Sequence, residues 1–249
     1  MSPSTTLTTL PTTAATGAST LLGLQPTSAK SIVTIRNIIF KNFCLLNDEE
    51  IVLVHSMRNS EKIRTKMYNQ DIIPLEVHKK WVSSLFLRKD CLYFLAYYDN
   101  KAIGVVDFTS INSDSCEWGF YLNPKYLNSG YGFLLEYYVL QFAFYFLQVN
   151  KLIGAVMAGN DMVYDGHIKY FSFSPDEDYT IKKEIDGENK IFRGLSLKRE
   201  NWEQWDKKKL LFLLKIFKVS QFIIQFENQK TYEMISDKGT IKFDFTGQN

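Results

Sequence analysis

Asp107, in GVVDFT, and Glu117, in CEWGFY, stand on two segments that read as neighbouring strands, each carboxylate set among apolar residues. Partial burial raises a carboxyl group toward neutral pH, where it can take the proton of an ammonium ion directly or through a water molecule. Strand alternation puts Val105, Asp107 and Thr109 on one face, and Glu117, Gly119 and Tyr121 on one face of the next strand. Alternation leaves two arrangements open: one shared cleft, or carboxylates on the solvent side of a half-exposed sheet. A second candidate follows in LNPKYLNSGYG, where Gly130 and Gly132 fall between a strand and a long aromatic helix pattern. Glycine here either relaxes a tight turn or bares backbone N–H groups for an anion at the helix N-terminus.

Composition removes several other chemistries. A net charge of +2 offers no basic stripe for a nucleic acid. The three cysteines, Cys44, Cys91 and Cys116, lack CxxC spacing and read as reduced thiols of a cytosolic protein. His55, His78 and His167 stand at no ligand spacing, so no metal centre is expected. With 45% apolar and 15% aromatic residues the chain can build a real core, which excludes wholesale disorder. The most apolar segment, FLLEYYVLQFAFYFLQV at 133–149, is short for a bilayer and carries Glu136 and Gln141. A buried helix is the better reading of it.

The elements that must position these residues follow in order. Residues 1–30 hold 13 Ser or Thr and no charge before Lys30; they read as a disordered tail without the pattern of a secretory signal. Order begins with a β-branched strand at 31–43. Asn47 and Glu50 form a capping-box pair ahead of a helix to about Arg58, and a second helix starts after Pro74 with Leu75, His78, Trp81, Val82 and Leu85 along one side. Residues 91–109 read as a hairpin turning at Asp99–Asn100, followed by a third strand, the glycine turn, the long helix, the strand KLIGAVM, a short helix and two strands near 179–185 and 189–197. This is an α+β order.

That order, with a glycine-bearing turn after the fourth strand, resembles the GNAT acetyltransferase superfamily, whose acetyl-CoA motif reads Gln/Arg-x-x-Gly-x-Gly/Ala. LNSGYG supplies Gly130 and Gly132, with Leu127 at the Gln/Arg position. The pieces MRNS, KMY, PLEVHKKWVSSL, IGVVDFTSIN, CEWGFYLNP and NSGYG, in this order over about residues 38–206, resemble more closely the sugar-nucleotide N-acetyltransferases of pseudaminic acid biosynthesis. The resemblance implies a GNAT fold, with a mixed, mostly antiparallel sheet flanked by helices. It also implies a cytoplasmic enzyme that moves acetyl from acetyl-CoA to the 4-amino group of a UDP-linked 4-amino-4,6-dideoxy sugar, in the pathway that serves flagellin glycosylation. The alternatives are an acetyltransferase for protein N-termini or ribosomal proteins, and a degenerate domain that binds CoA or a partner without turnover.

The same resemblance implies the site. Phe120 and Leu122 lie on the strand expected to splay from its neighbour and pair with the pantetheine arm. Leu127, Asn128, Ser129, Gly130, Gly132 and Phe133 belong to the loop that would hold the pyrophosphate, and Asn160 is the motif asparagine of the next strand end. Seven residues after Asn160, where the family places a tyrosine as acid, stands His167, with Tyr164 and Tyr170 one helical turn to either side. Arg58, His78, Thr109 and Tyr121 fall where the family contacts the nucleotide, and Asp107 and Glu117 are the candidate bases. The domain implied spans 31–206, followed by a helix–hairpin extension at 207–249. There DKKKLLFLLKIFKVSQFIIQF is a basic amphipathic pattern suited to an anionic membrane surface, a core face or the seam of a homodimer.

Overall fold

The structure is a computed structural model that describes residues 36–226, together with the backbone of strands at 232–236 and 239–243. The Ser/Thr-rich tail at 1–30, the start of the first expected strand and the turn at Lys238 lie outside the described residues. The elements are β1 (Arg36–Asn42), α1 (Asp48–Asn59), α2 (Glu61–Arg64), α3 (Leu75–Ser84), β2 (Leu92–Tyr98), β3 (Lys101–Thr109) and β4 (Ser115–Leu122). They continue with α4 (Tyr131–Gln141), β5 (Lys151–Met157), α5 (Asp161–Phe171), β6 (Ser174–Pro175), β7 (Ile181–Ile185) and β8 (Glu188–Lys198). The last are α6 (Arg199–Gln204), α7 (Lys208–Leu214), β9 (Val219–Gln225), β10 (Tyr232–Ser236) and β11 (Gly239–Phe243).

One sheet runs in the order β6-β8-β5-β4-β3-β2-β1-β9, with β7 on β8. Strands β1 to β4 pair antiparallel; β4 and β5 pair parallel, as do β1 and β9. The hairpin turn is set by Asp99 and Asn100, both at positive φ, as a primed turn between twisted strands requires. This is the mixed α+β sheet expected. The basic C-terminal pattern differs from the single amphipathic helix expected: it is helical only through α7 and a 3₁₀ turn to Phe217. It then becomes β9, parallel to β1. Lys218 at positive φ ends the helix, and the alternation in VSQFIIQ, with Phe222 and Ile224 buried, suits a strand.

Each face of the sheet has its own core. On one side Phe94, Phe108, Phe142, Leu135 and Val139 pack with α4, which is apolar nearly all round because it is covered on most sides. The helix continues as a π-helical turn, Phe142–Phe146. On the other side Val54 and Met57 of α1 and Val82 of α3 cover Leu95 and Val105. The seat of α1 is fixed by one carboxylate. Glu50 closes the capping box on the Asn47 amide at 2.9 Å, and accepts from Lys41 Nζ at 2.7 Å and the Tyr97 hydroxyl at 2.7 Å. Burial alone would push Glu50 up, but these three donors together hold it below its ordinary value. Docked this way, α1 carries Arg58 in its last turn over the sheet.

Phe142 is fully buried and its ring lies 5.0 Å from Phe108 and 5.2 Å from Phe94. Phe142→Ala is expected to cost about 3–5 kcal/mol, read as a lowered urea midpoint at unchanged slope.

Candidate active site

Register settles what alternation left open. Asp107 pairs with Gly119, Thr109 with Glu117 and Val105 with Tyr121, and residues directly opposite one another share a face. Asp107, Thr109, Glu117 and Tyr121 therefore line one surface, joined by Tyr93, which pairs with Asp107 from β2. The bare backbone of Gly119 makes room there: a Cβ would stand 3.1 Å from an Asp107 carboxylate oxygen. Burial, reinforced by the charge of Glu117, pushes Asp107 up to about 6. A carboxylate so poised can take a proton from an ammonium group near neutral pH. Glu117 itself is exposed, with the Thr109 hydroxyl 3.4 Å away.

Above this surface lie the side chains of α1, α3 and the 65–74 loop. The loop is tied to α1 through Asn59, which donates to the Ile73 carbonyl at 2.8 Å and accepts from its amide at 2.9 Å. Arg58 donates through Nη2 to the Asn69 carbonyl at 2.6 Å, while its buried Nη1 has no partner among the described residues. His78 is buried between His55 and Trp81, at 5.5 and 5.4 Å, and its Nε2 is also unpartnered. Burial, with the neighbouring His55 and Arg58, lowers His78 to about 4, so the ring is neutral. Tyr68, in the KMY piece but absent from the expected site, joins the carboxylate surface: burial, then Glu117 and Asp107, push its hydroxyl up to about 12. A position in a matched piece was the signal that could have found it.

The second half of the site is a gap. Strands β4 and β5 pair only at Ser115–Lys151, Cys116–Leu152 and Glu117–Ile153; beyond these, Trp118–Leu122 and Gly154–Met157 form no ladder. Over the point where they part stands Trp118, whose buried indole N–H has no acceptor; its Nε1 is 3.2 Å from where a Cβ on Gly154 would sit. At the end of β4 the chain turns through Asn128 and Gly130, both at positive φ, with Gly130 as N-cap of α4. Among the described residues, the amides of Asn128, Gly130 and Gly132 donate to no protein acceptor. Leu127, Asn128 and Ser129 are exposed, and Phe133 packs inward on Tyr170 and Phe171. Three free N–H groups at the positive end of an eleven-residue helix, beside an unpaired strand edge, fit an anionic group with an extended amide-bearing arm.

Helix α5 closes the gap from below. Asn160 occupies its N-cap without a side-chain capping bond. Of the three candidate acids, His167 is the one whose ring stands against β4, 5.0 Å from Trp118 and 6.4 Å from Phe120. Tyr164 lies under the Arg193 guanidinium at 3.8 Å, and Tyr170 meets Phe133 edge-to-face at 5.0 Å. His167 Nδ1 is 2.5 Å from Glu136 Oε1 on α4. Glu136 was visible in the sequence only as the single charge within an apolar helix pattern, and no local rule pairs it with a residue 31 positions on.

The sequence profile of the Acetyltransferase (GNAT) domain matches residues 42–163. The chain is 36% identical over 120 residues to acetyltransferase PseH of Campylobacter jejuni, spanning 48% of this chain and 74% of that protein. The crystal structure of the C. jejuni N-acetyltransferase PseH in complex with acetyl coenzyme A aligns at 28% identity and a TM-score of 0.47, over 65% of this chain and 99% of that one. Spermidine N-acetyltransferase from Vibrio cholerae, solved with CoA and spermine, aligns at 14% identity and a TM-score of 0.60, over 67% of this chain and 98% of that one. That likeness is one of fold. Among the described residues, no helix is long and apolar enough to cross a membrane.

Two outcomes follow from this geometry. Gly132 has open space around it, its nearest neighbour for a Cβ being Leu122 at 4.0 Å. Gly132→Glu should therefore leave the fold as stable or about 1 kcal/mol more stable, while its carboxylate repels an anion from the loop. Calorimetric titration with acetyl-CoA is expected to show a loss of affinity of about tenfold or more. For Asp107, a folded pKa of about 6 lies above the ordinary 3.8, so ionisation costs stability above pH 6 and the cost vanishes below about pH 4. Asp107→Asn is expected to melt about 2–4 °C above the wild type at pH 7.5, a difference that closes as the pH is lowered toward 4.

Proposed function

The chain belongs to the GNAT acetyltransferase family, and we propose that its acceptor is the 4-amino group of a UDP-linked 4-amino-4,6-dideoxy sugar. As a member of that family it is an N-acetyltransferase that uses acetyl-CoA. The observation that carries the choice of acceptor is the pair of buried, unpartnered nitrogens on the carboxylate side of the sheet, Arg58 Nη1 and His78 Nε2. Donors without protein acceptors are costly unless a ligand completes them. A guanidinium suits a diphosphate, a neutral imidazole suits a carbonyl or hydroxyl, and the adjacent Tyr121 ring suits a base. The similarity to PseH supports the same reading.

The division of labour in this proposal follows the two faces of β4. The free amides of Asn128, Gly130 and Gly132 hold the pyrophosphate, and the unpaired edge of Trp118–Leu122 pairs with the pantetheine arm. Acetyl-CoA supplies an activated acyl carbon in the gap. Asp107 receives the proton that the sugar ammonium loses in becoming the nucleophilic amine, and the exposed Glu117 passes to solvent the second proton, shed as the nitrogen bonds to that carbon. As the carbon–sulfur bond breaks, His167 holds a proton at Nε2 for the departing sulfur. Because Asp107 must be ionised, kcat/KM should fall as the pH drops through about 6.

A thiol-release assay with acetyl-CoA tests the proposal, comparing UDP-linked 4-amino-4,6-dideoxy sugars with N-terminal peptides. Turnover is expected with the sugar nucleotide, and Arg58→Ala should raise its KM by about tenfold or more with kcat little changed. Turnover with peptides alone would replace the acceptor, and CoA binding without turnover on either would point to a domain that has lost its chemistry.

A further inference from the structure

Glu136 and His167 meet across two helices at hydrogen-bond distance, Oε1 to Nδ1 at 2.5 Å, with both side chains 5% exposed. The surround is apolar. Trp118 and Phe120 of β4 meet the imidazole edge-to-face, and Phe173 closes it at 5.6 Å. Among the described residues Glu136 is the one titratable group that faces His167 from any of these elements. The imidazole Nε2 has no protein partner among the described residues. Burial pushes the Glu136 carboxyl up, and His167 pulls against it.

A carboxylate in this setting has no use as a structural device that an apolar residue would not serve as well. Replacing a buried ion pair by well-packed apolar side chains is often neutral or stabilising, whereas keeping one charge without the other is expensive. Glu136 also breaks an otherwise apolar stretch of α4, between Leu135 and Tyr137, where Leu or Met would continue the pattern. What the pair does accomplish is geometric. With Nδ1 committed to Glu136, the ring is held against flipping, and Nε2 is left without a protein partner among the described residues on a ring packed against Trp118 and Phe120 of β4. A ring nitrogen's protonation is set by the hydrogen bond its partner nitrogen makes.

We propose that Glu136 is a positioning residue for acetyl transfer, fixing the His167 ring by its Nδ1 so that Nε2 delivers its proton to the leaving sulfur at the β4–β5 gap. The inference rests on the reading of His167 as the acid. When the acyl carbon–nitrogen bond forms and the carbon–sulfur bond breaks, the Nε2 proton passes to sulfur, and the Glu136 carboxylate keeps the Nδ1 proton in place. The pair then carries the negative charge until Nε2 is reprotonated from solvent. The tyrosine that resembling enzymes place here needs no such partner; an imidazole, with two nitrogens to choose between, does.

The test is steady-state kinetics with acetyl-CoA and the accepted amine on wild type, Glu136→Gln, Glu136→Asp and His167→Gln, with proton and ¹⁵N spectra of the imidazole. Glu136→Gln is expected to lower kcat by about tenfold to a hundredfold, with both KM values within about twofold. The alkaline limb of its kcat profile should move to lower pH, and Glu136→Asp should recover part of the rate. The wild-type spectrum should show a downfield, slowly exchanging proton on Nδ1 that Glu136→Gln loses. If His167→Gln abolishes turnover while Glu136→Gln keeps both kcat and its alkaline limb, His167 stands as acid and the role of Glu136 is overturned. If His167→Gln leaves kcat unchanged, the acid assignment fails and the inference fails with it. Should Glu136→Gln not fold, the wild-type spectrum still decides: an Nδ1 without a bound proton overturns the inference.

Discussion

The molecule is organised around a parallel strand pair that comes apart. Strands β4 and β5 stay in register for three residues and then diverge, leaving polar backbone that a sheet interior would normally satisfy. On their other edges β4 is paired from Gly104–Leu122 to Thr109–Glu117 with β3, and β5 along its whole length with β8. The divergence is thus held open from both sides by complete ladders. The covered faces, Phe94 and Phe108 against α4 and Leu95 and Val105 against α1 and α3, keep those ladders in place.

Around that gap the chain distributes its buried ionisable groups by face. Asp107 sits on the α1 side, raised by burial and by a second carboxylate, without a cation to neutralise it. Glu136 sits on the α4 side, raised by burial and countered by an imidazole at hydrogen-bond distance. One arrangement leaves a carboxyl that accepts a proton near neutrality, and the other joins a carboxyl to an imidazole by a hydrogen bond. The cost falls on stability, since each carboxyl is withdrawn from water.

In the cofactor site proposed above, anion recognition is built from backbone more than from charge. The amides after β4 and the dipole of α4 act where the family motif would place a Gln or Arg and this chain has Leu127. The proposed acceptor side does use charge, through Arg58, but its guanidinium is divided: one nitrogen anchors the loop at Asn69, and among the described residues the other has no partner. The same residue therefore ties the loop to α1, the helix that Glu50 docks on the sheet.

Much of this was legible in the chain. The capping box at Asn47 and Glu50, the hairpin turn at Asp99–Asn100, the alternation that groups Asp107 with Thr109, and the glycines ahead of α4 depend on neighbours within a few residues, and each appears where spacing puts it. Longer-range facts were not. That Asp107 and Glu117 share a surface depends on the β3–β4 register, where a slip of one residue would reverse the faces. That the basic C-terminal pattern ends in a strand depends on the open edge of β1, and helix propensity could not report it. The meeting of Glu136 with His167, and the gap that gives Trp118 and the loop amides something to face, exist only once two helices and two strands are packed together. Sequence determined the elements and the chemistry each could carry; tertiary structure decided which groups meet, because contact, burial and register are properties of the packed chain.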